Sequence, residues 1–303
     1  MSKGIKIALI AAVCLIGIGL VLGLIGYFTG GSSLFKDEET TERELVINDA
    51  FSDIVIDCER SKVVLLPSED GVCRIQADES ESCTLIAEVK NGALNIEQKL
   101  KSKWNFGLIG FNFSAFKPYK LNVYLPESDY RDLKVNNISG GVEAKDGLSF
   151  MNAALKTVSG GIRFNASVRS SASFESTSGG IEASGFECER LKADCTSGGI
   201  RISNVSCGSA EIDCTSGGIT LTRVIASGEL SVETMSGGIT FDRCDGGSIR
   251  AEAVSGSIKG SLLSPKVFKT DTVSGKISVP ADGSGGICEL ETTSGKIEIT
   301  IAE

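Results

Sequence analysis

Seven carboxylates recur at one offset along the second half of a 303-residue chain. Glu175, Asp194, Asp213, Glu233, Glu252, Asp271 and Glu291 each stand three residues before a Ser-Gly pair, at intervals of 19 or 20 residues. If those positions stack ~4.8 Å apart, neighbouring charges repel by about 0.9 kcal/mol in bulk water before salt screening. Such a row suits a divalent cation such as calcium between adjacent carboxylates, or a cationic peptide lying along it. The competing account is plain solvation, with offsets from nearby Lys192, Arg250 and Lys269.

A second group is aromatic and basic. Trp104, Phe106, Phe111, Phe113 and Phe116, followed by Tyr119 and Tyr124, are interleaved with Lys99, Lys101, Lys103, Lys117 and Lys120. Rings and cations in alternation suit a membrane interface or a ligand surface. They equally suit a plug over the open end of a repeat stack.

The remaining reactive types point away from catalysis. There is no histidine, so Ser-His-Asp and Cys-His activation and His-ligated zinc are all excluded. The ten cysteines include no CxxC spacing, so no zinc cluster is expected. Cys188 and Cys207 are 19 residues apart, as are Cys195 and Cys214. Each pair should stack, either as disulfides or as buried free thiols. The serines that recur before glycine lack a general base and read as a structural corner. No catalytic residue and no organic cofactor is expected.

What positions these groups is a repeat. Ser139, Ser159, Ser178, Ser197, Ser216, Ser236, Ser255, Ser274 and Ser294 each open a Ser-Gly turn, with spacings of 20, 19, 19, 19, 20, 19, 19 and 20. Three residues after each stands Val142 or an isoleucine, from Ile162 to Ile297. Apolar alternation flanks the turn on both sides, so each repeat reads as strand, turn, strand with no room for a helix. One such unit cannot bury its apolar face alone, and stacking in register predicts an all-β parallel β-solenoid of about 19–20 residues per coil. An antiparallel sandwich is the alternative, but it does not require equivalent residues in every copy. Residues 44–132 show less regular strands that should form the first coils and an N-terminal cap, with the aromatic and basic insertion at 99–120. The regular repeats occupy 133–303.

Ile7 to Phe28 form 22 residues without a charge, long enough to span a ~30 Å hydrocarbon core. Lys3 and Lys6 precede them, which places the N-terminus in the cytoplasm and residues 31–303 outside. A cleaved signal peptide competes, but its apolar region is ordinarily ~7–15 residues. Residues 1–30 thus read as cytoplasmic lysines and one transmembrane helix, and 31–43 as an acidic linker. The net charge of −9 argues against nucleic acid.

The anchor, the passage LNVYLPESDYRDLKVNNISGGV (121–142) and the T/V-S-G-G-I ladder resemble a bacterial cell-envelope family labelled "putative adhesin". The resemblance covers roughly 44–303. It implies a repetitive β-strand domain of unknown function with relatives in envelope-stress systems of Gram-positive bacteria, and it brings no catalytic residues to carry over. The expected protein is a single-pass cell-membrane protein, attached through residues 7–28, whose exported solenoid is a non-catalytic adhesin-like or envelope-stress interaction module. Its expected partners are a cationic peptide or an envelope protein. A glycan-active β-helix enzyme and a purely structural spacer are the alternatives.

Overall fold

A computed structural model of the protein describes residues 39–100, 118–281 and 283–302. The apolar segment 7–28 and the five residues Trp104, Phe106, Phe111, Phe113 and Phe116 lie outside them. Among the described residues no helix is long and apolar enough to cross a membrane.

The alternation in each repeat becomes one long bent strand. Ile181–Ser197 pairs in parallel with Ile200–Ser216, which pairs in parallel with Ile219–Ser236. Isoleucines meet across successive rungs: Ile200 lies between Ile181 and Ile219, and Ile219 is followed by Ile239. All four are fully buried, and each isoleucine so buried contributes roughly 1.5–3 kcal/mol. The result is the expected parallel β-solenoid. Phe164, Phe174 and Phe186 pack together in its core, with ring centroids 5.0–6.4 Å apart.

The N-terminal part mixes two pairing modes. Asp53–Cys58 and Ser61–Pro67 form one coil, and Ala93–Leu100 with Tyr119–Leu125 form another. Thr41–Ile47, Cys73–Glu79 and Cys83–Lys90 instead run antiparallel, the second against Tyr119–Leu125 and the third against Ala93–Leu100. These antiparallel strands are the cap: they cover the end of the stack with residues that the irregular apolar pattern had left undivided between coil and cap.

Both ends of the stack depart from chain order. The first coil, Asp53–Cys58, sits between the later strands Ala93–Leu100 and Asp129–Ser139. At the other end Ser255 pairs with Ser294, and Ser274 stacks outside Ser294. A strictly sequential stack is therefore corrected here. The inner place goes to the more apolar coil: Cys288, Leu290, Ile297 and Ile299 are buried, whereas the outer coil offers Phe268, Thr270 and Thr272 at its inward positions and buries none of them fully. Exchanging the two would leave the better apolar surface in water. The connector into the outer coil is pinned by Lys266, a buried lysine 2.6 Å from Asp245 that also donates to the Gly246 carbonyl at 2.7 Å.

Candidate functional site

The Ser-Gly corners set the register of everything on the surface. At Gly217 the backbone has φ +145°, and a Cβ there would lie 1.9 Å from the Gly198 oxygen of the neighbouring coil. Close backbone approach, rather than chemistry, thus requires the first glycine. The second position is roomier, and Ser257, Lys276 and Lys296 occupy it in other coils. Corner amides stay paired between coils, as in Gly198 N–H to Ser216 O at 3.0 Å and Ile200 N–H to Gly218 O at 3.1 Å.

Two residues before each serine lies a row of short donors. Thr157 donates to Gly160 O at 2.8 Å, Ser176 to Gly179 O at 3.1 Å, and Thr292 to Gly256 O at 2.9 Å. Cys195 and Cys214 hold the same place, their thiols donating to Gly179 O and Gly198 O at 3.2 Å. The cysteines are buried free thiols, as are Cys188 and Cys207 in register with each other. Burial pushes Cys188 up to about 12 and Cys214 up to about 11, so both stay protonated and unreactive. The alternation along the repeat marks this row only as mostly small or apolar. Its actual signal is that nearly every member carries an S–H, O–H or amide donor.

The seven carboxylates do form a row. Glu175 lies beside Asp194, Asp194 beside Asp213, Asp213 beside Glu233, and Glu233 beside Glu252, with Glu291 next and Asp271 outermost. Much of the charge is compensated. Lys156 meets Glu175 at 2.6 Å, Lys192 meets Glu211 at 2.7 Å and Asp194 at 3.6 Å, and Arg250 holds Glu252 and approaches Glu233 at 3.9 Å. Lys269 turns to Glu289, outside the row. Asp213 has no cation within ion-pair distance among the described residues. Partial burial first, then Asp194, Glu233 and Glu211, push its carboxyl up to about 6. Around it the face dips into a groove of about 300 Å³, floored by Cys195 and Cys214 and edged by Glu252, Met235 and Val254. Met235 and Val254 are 60% and 53% exposed, so an apolar edge runs beside the acids. Among the described residues no three carboxylates or thiols converge closely enough to hold a metal ion.

A different face carries a pattern that sequence reasoning missed. One residue after the first isoleucine position, Glu143, Arg163, Glu182 and Arg201 alternate in sign up the stack. Arg163 lies 3.0 Å from Glu182 and 3.9 Å from Glu143. The alternation was legible once the repeat was aligned, and it leaves the carboxylate row as the face where like charges meet.

The Toastrack DUF4097 family matches residues 51–300. Three solved structures are similar in fold. They are a "putative lipid binding protein" from Parabacteroides distasonis (16% identity, TM-score 0.55, 87% of this chain and 98% of that one), a "putative adhesin" from Parabacteroides merdae (11%, 0.52, 86% and 96%) and a "putative adhesin" from Parabacteroides distasonis (12%, 0.51, 86% and 98%). No curated protein matches the chain.

Proposed function

Because the chain belongs to the Toastrack DUF4097 family, we propose that it is a non-catalytic binding module whose carboxylate row takes a cationic, amphipathic peptide segment. The observation that carries this reading is Asp213, which sits among Asp194, Glu211 and Glu233 with no cation of its own among the described residues, beside the exposed Met235 and Val254. A partner bringing lysine or arginine onto the carboxylates and an apolar side chain onto that edge relieves the repulsion and removes apolar surface from water. We place the solenoid outside the cell, anchored through residues 7–28, where such peptides are met, and the envelope-stress resemblance supports that setting. A partner protein of the envelope would be recognised by the same chemistry.

The test is calorimetric titration of the protein with a cationic amphipathic peptide at low salt, repeated after Asp194→Asn with Asp213→Asn. Binding that weakens at least tenfold in the double variant and fades with salt supports the reading; equal binding by both proteins refutes it. Calcium titrated in the same cell addresses the cation expectation. Hydrolysis in a glycan-cleavage screen would turn the reading toward an enzyme. The name of the lipid-binding neighbour and the interleaved rings and lysines of 99–120 support a second use, contact with a bilayer, read by liposome co-sedimentation with and without Trp104→Ala and Phe106→Ala.

A further inference from the structure

The cap covers one end of the stack, and at the other end the strand Val267–Ser274 presents an edge with no partner among the described residues. Its inner edge pairs with Ile287–Ser294, and the Val267 amide points that way, donating to Gly286 O at 3.1 Å. By strand alternation the amides and carbonyls of Phe268, Thr270 and Thr272 therefore point out of the end of the stack. An unpaired edge of this kind is a template for another strand.

The side chains specify which strand. Val267, Lys269, Asp271 and Val273 all face outward and are exposed, Val273 at 82%. Run antiparallel against itself about Thr270, the segment sets Lys269 against Asp271 of the other copy, Asp271 against Lys269, and each Val267 against Val273. The same register brings the outward-pointing amides of Phe268, Thr270 and Thr272 opposite one another. Slipping by two residues one way opposes Asp271 to Asp271, and the other way opposes Lys269 to Lys269. Slips by one residue bring inward- and outward-pointing amides together. A single register satisfies both backbone and charge.

We propose that this edge pairs two copies of the chain end to end, by antiparallel addition of Val267–Ser274 to its own counterpart about a two-fold axis at Thr270. The partner is a second copy because the complementarity is to itself. Thr41–Ile47, in the cap, then faces away at both ends of the pair. The inference rests on the edge alone; taken with the anchored reading above, the same contact joins two facing envelopes.

The test uses the full chain purified in detergent. Sedimentation should show a reversible dimer. Lys269→Glu alone and Asp271→Lys alone each place like charges across both symmetric pairs and should weaken it about tenfold, whereas the two together restore it to within about threefold. Thr270→Cys should form a symmetric disulfide under a mild disulfide oxidant such as oxidised glutathione, the two thiol protons and two electrons of each new bond passing to one oxidant disulfide, which becomes two thiols. In the paired state the opposed Cα atoms stand ~5.5 Å apart, within disulfide reach. Ser231→Cys, on a mid-stack strand, should not cross-link. A monomer at every concentration, cross-linking equal at the two positions, or a double swap that fails to restore the dimer would each overturn the proposal. Peptide binding to the carboxylate row does not enter any of these readouts.

Discussion

Asp194 and Asp213 lie side by side on neighbouring coils, and partial burial together with that neighbouring carboxylate pushes the second up to about 6. A carboxyl raised in the folded state binds its proton more tightly there than in the unfolded chain. Stability attributable to it is therefore full below pH ~4 and is lost as pH rises toward 6. The gap from its ordinary value of 3.8 corresponds to roughly 3 kcal/mol, and partial exposure reduces this to about 1 kcal/mol. Asp213→Asn should leave stability unchanged at pH 4 and raise it by about 1 kcal/mol at pH 7. Urea unfolding of both proteins at pH 4, 5, 6 and 7 measures the difference; a gap independent of pH would contradict the assignment.

The two glycines of a corner should behave unequally. Gly217→Ala forces a Cβ to within 1.9 Å of a carbonyl oxygen on the next coil, at a positive φ that alanine resists. The expected loss exceeds about 3 kcal/mol. Gly218→Ser meets its nearest atom at 3.5 Å, ordinary contact, and serine already stands at the equivalent place as Ser257. Its cost should stay within about 0.5 kcal/mol. Thermal unfolding of the two single variants decides the matter.

Cys195 tests whether the row beneath the corner is apolar or polar. Its thiol donates to the Gly179 carbonyl, the bond that Thr157 and Ser176 make from their hydroxyls to neighbouring glycines. Cys195→Thr should be neutral within about 0.5 kcal/mol. Cys195→Val keeps the volume and removes one of the two donors to that carbonyl, the Ser176 hydroxyl being the other, at about 0.5–1.5 kcal/mol. Were valine the better tolerated of the two in urea unfolding, the donor row would be incidental.

The architecture was readable because stacking demands the same side chain at every level, and Ile200, Ile219 and Ile239 advertise that demand at a fixed interval. Position in the stack was not. Ser274 and Ser294 are both followed by Gly-Lys-Ile, and either can follow Ser255 without breaking the period. What separates them is the difference between Thr270 and Leu290 at one inward place, a burial preference that a period does not record. The carboxylate row was legible for the same reason as the isoleucines. Its partial neutralisation by Lys156 is written in the same period, since that lysine stands three residues before Ser159, at the offset of the acids, and so lies beside Glu175. A buried thiol at Cys195 or Cys214 can be an apolar filler or a donor, and only the distance to a carbonyl resolves which.

Coil order makes a prediction from two isoleucines that the repeat treats as equivalent. Ile297 is fully buried between Ile258 and Ile277, whereas among the described residues Ile277 has a strand neighbour on one side only, and it is 40% exposed. Truncating a fully enclosed isoleucine removes its transfer energy and leaves a cavity, so Ile297→Ala should cost about 3–4 kcal/mol. Ile277→Ala removes methyl groups that already touch water and opens no enclosed space, so its cost should stay near 1 kcal/mol. A stack in strict chain order would reverse the two values, since Ile297 would then hold the exposed end. Equilibrium unfolding of the single variants distinguishes the arrangements, and comparable losses from both would mean that neither coil is terminal.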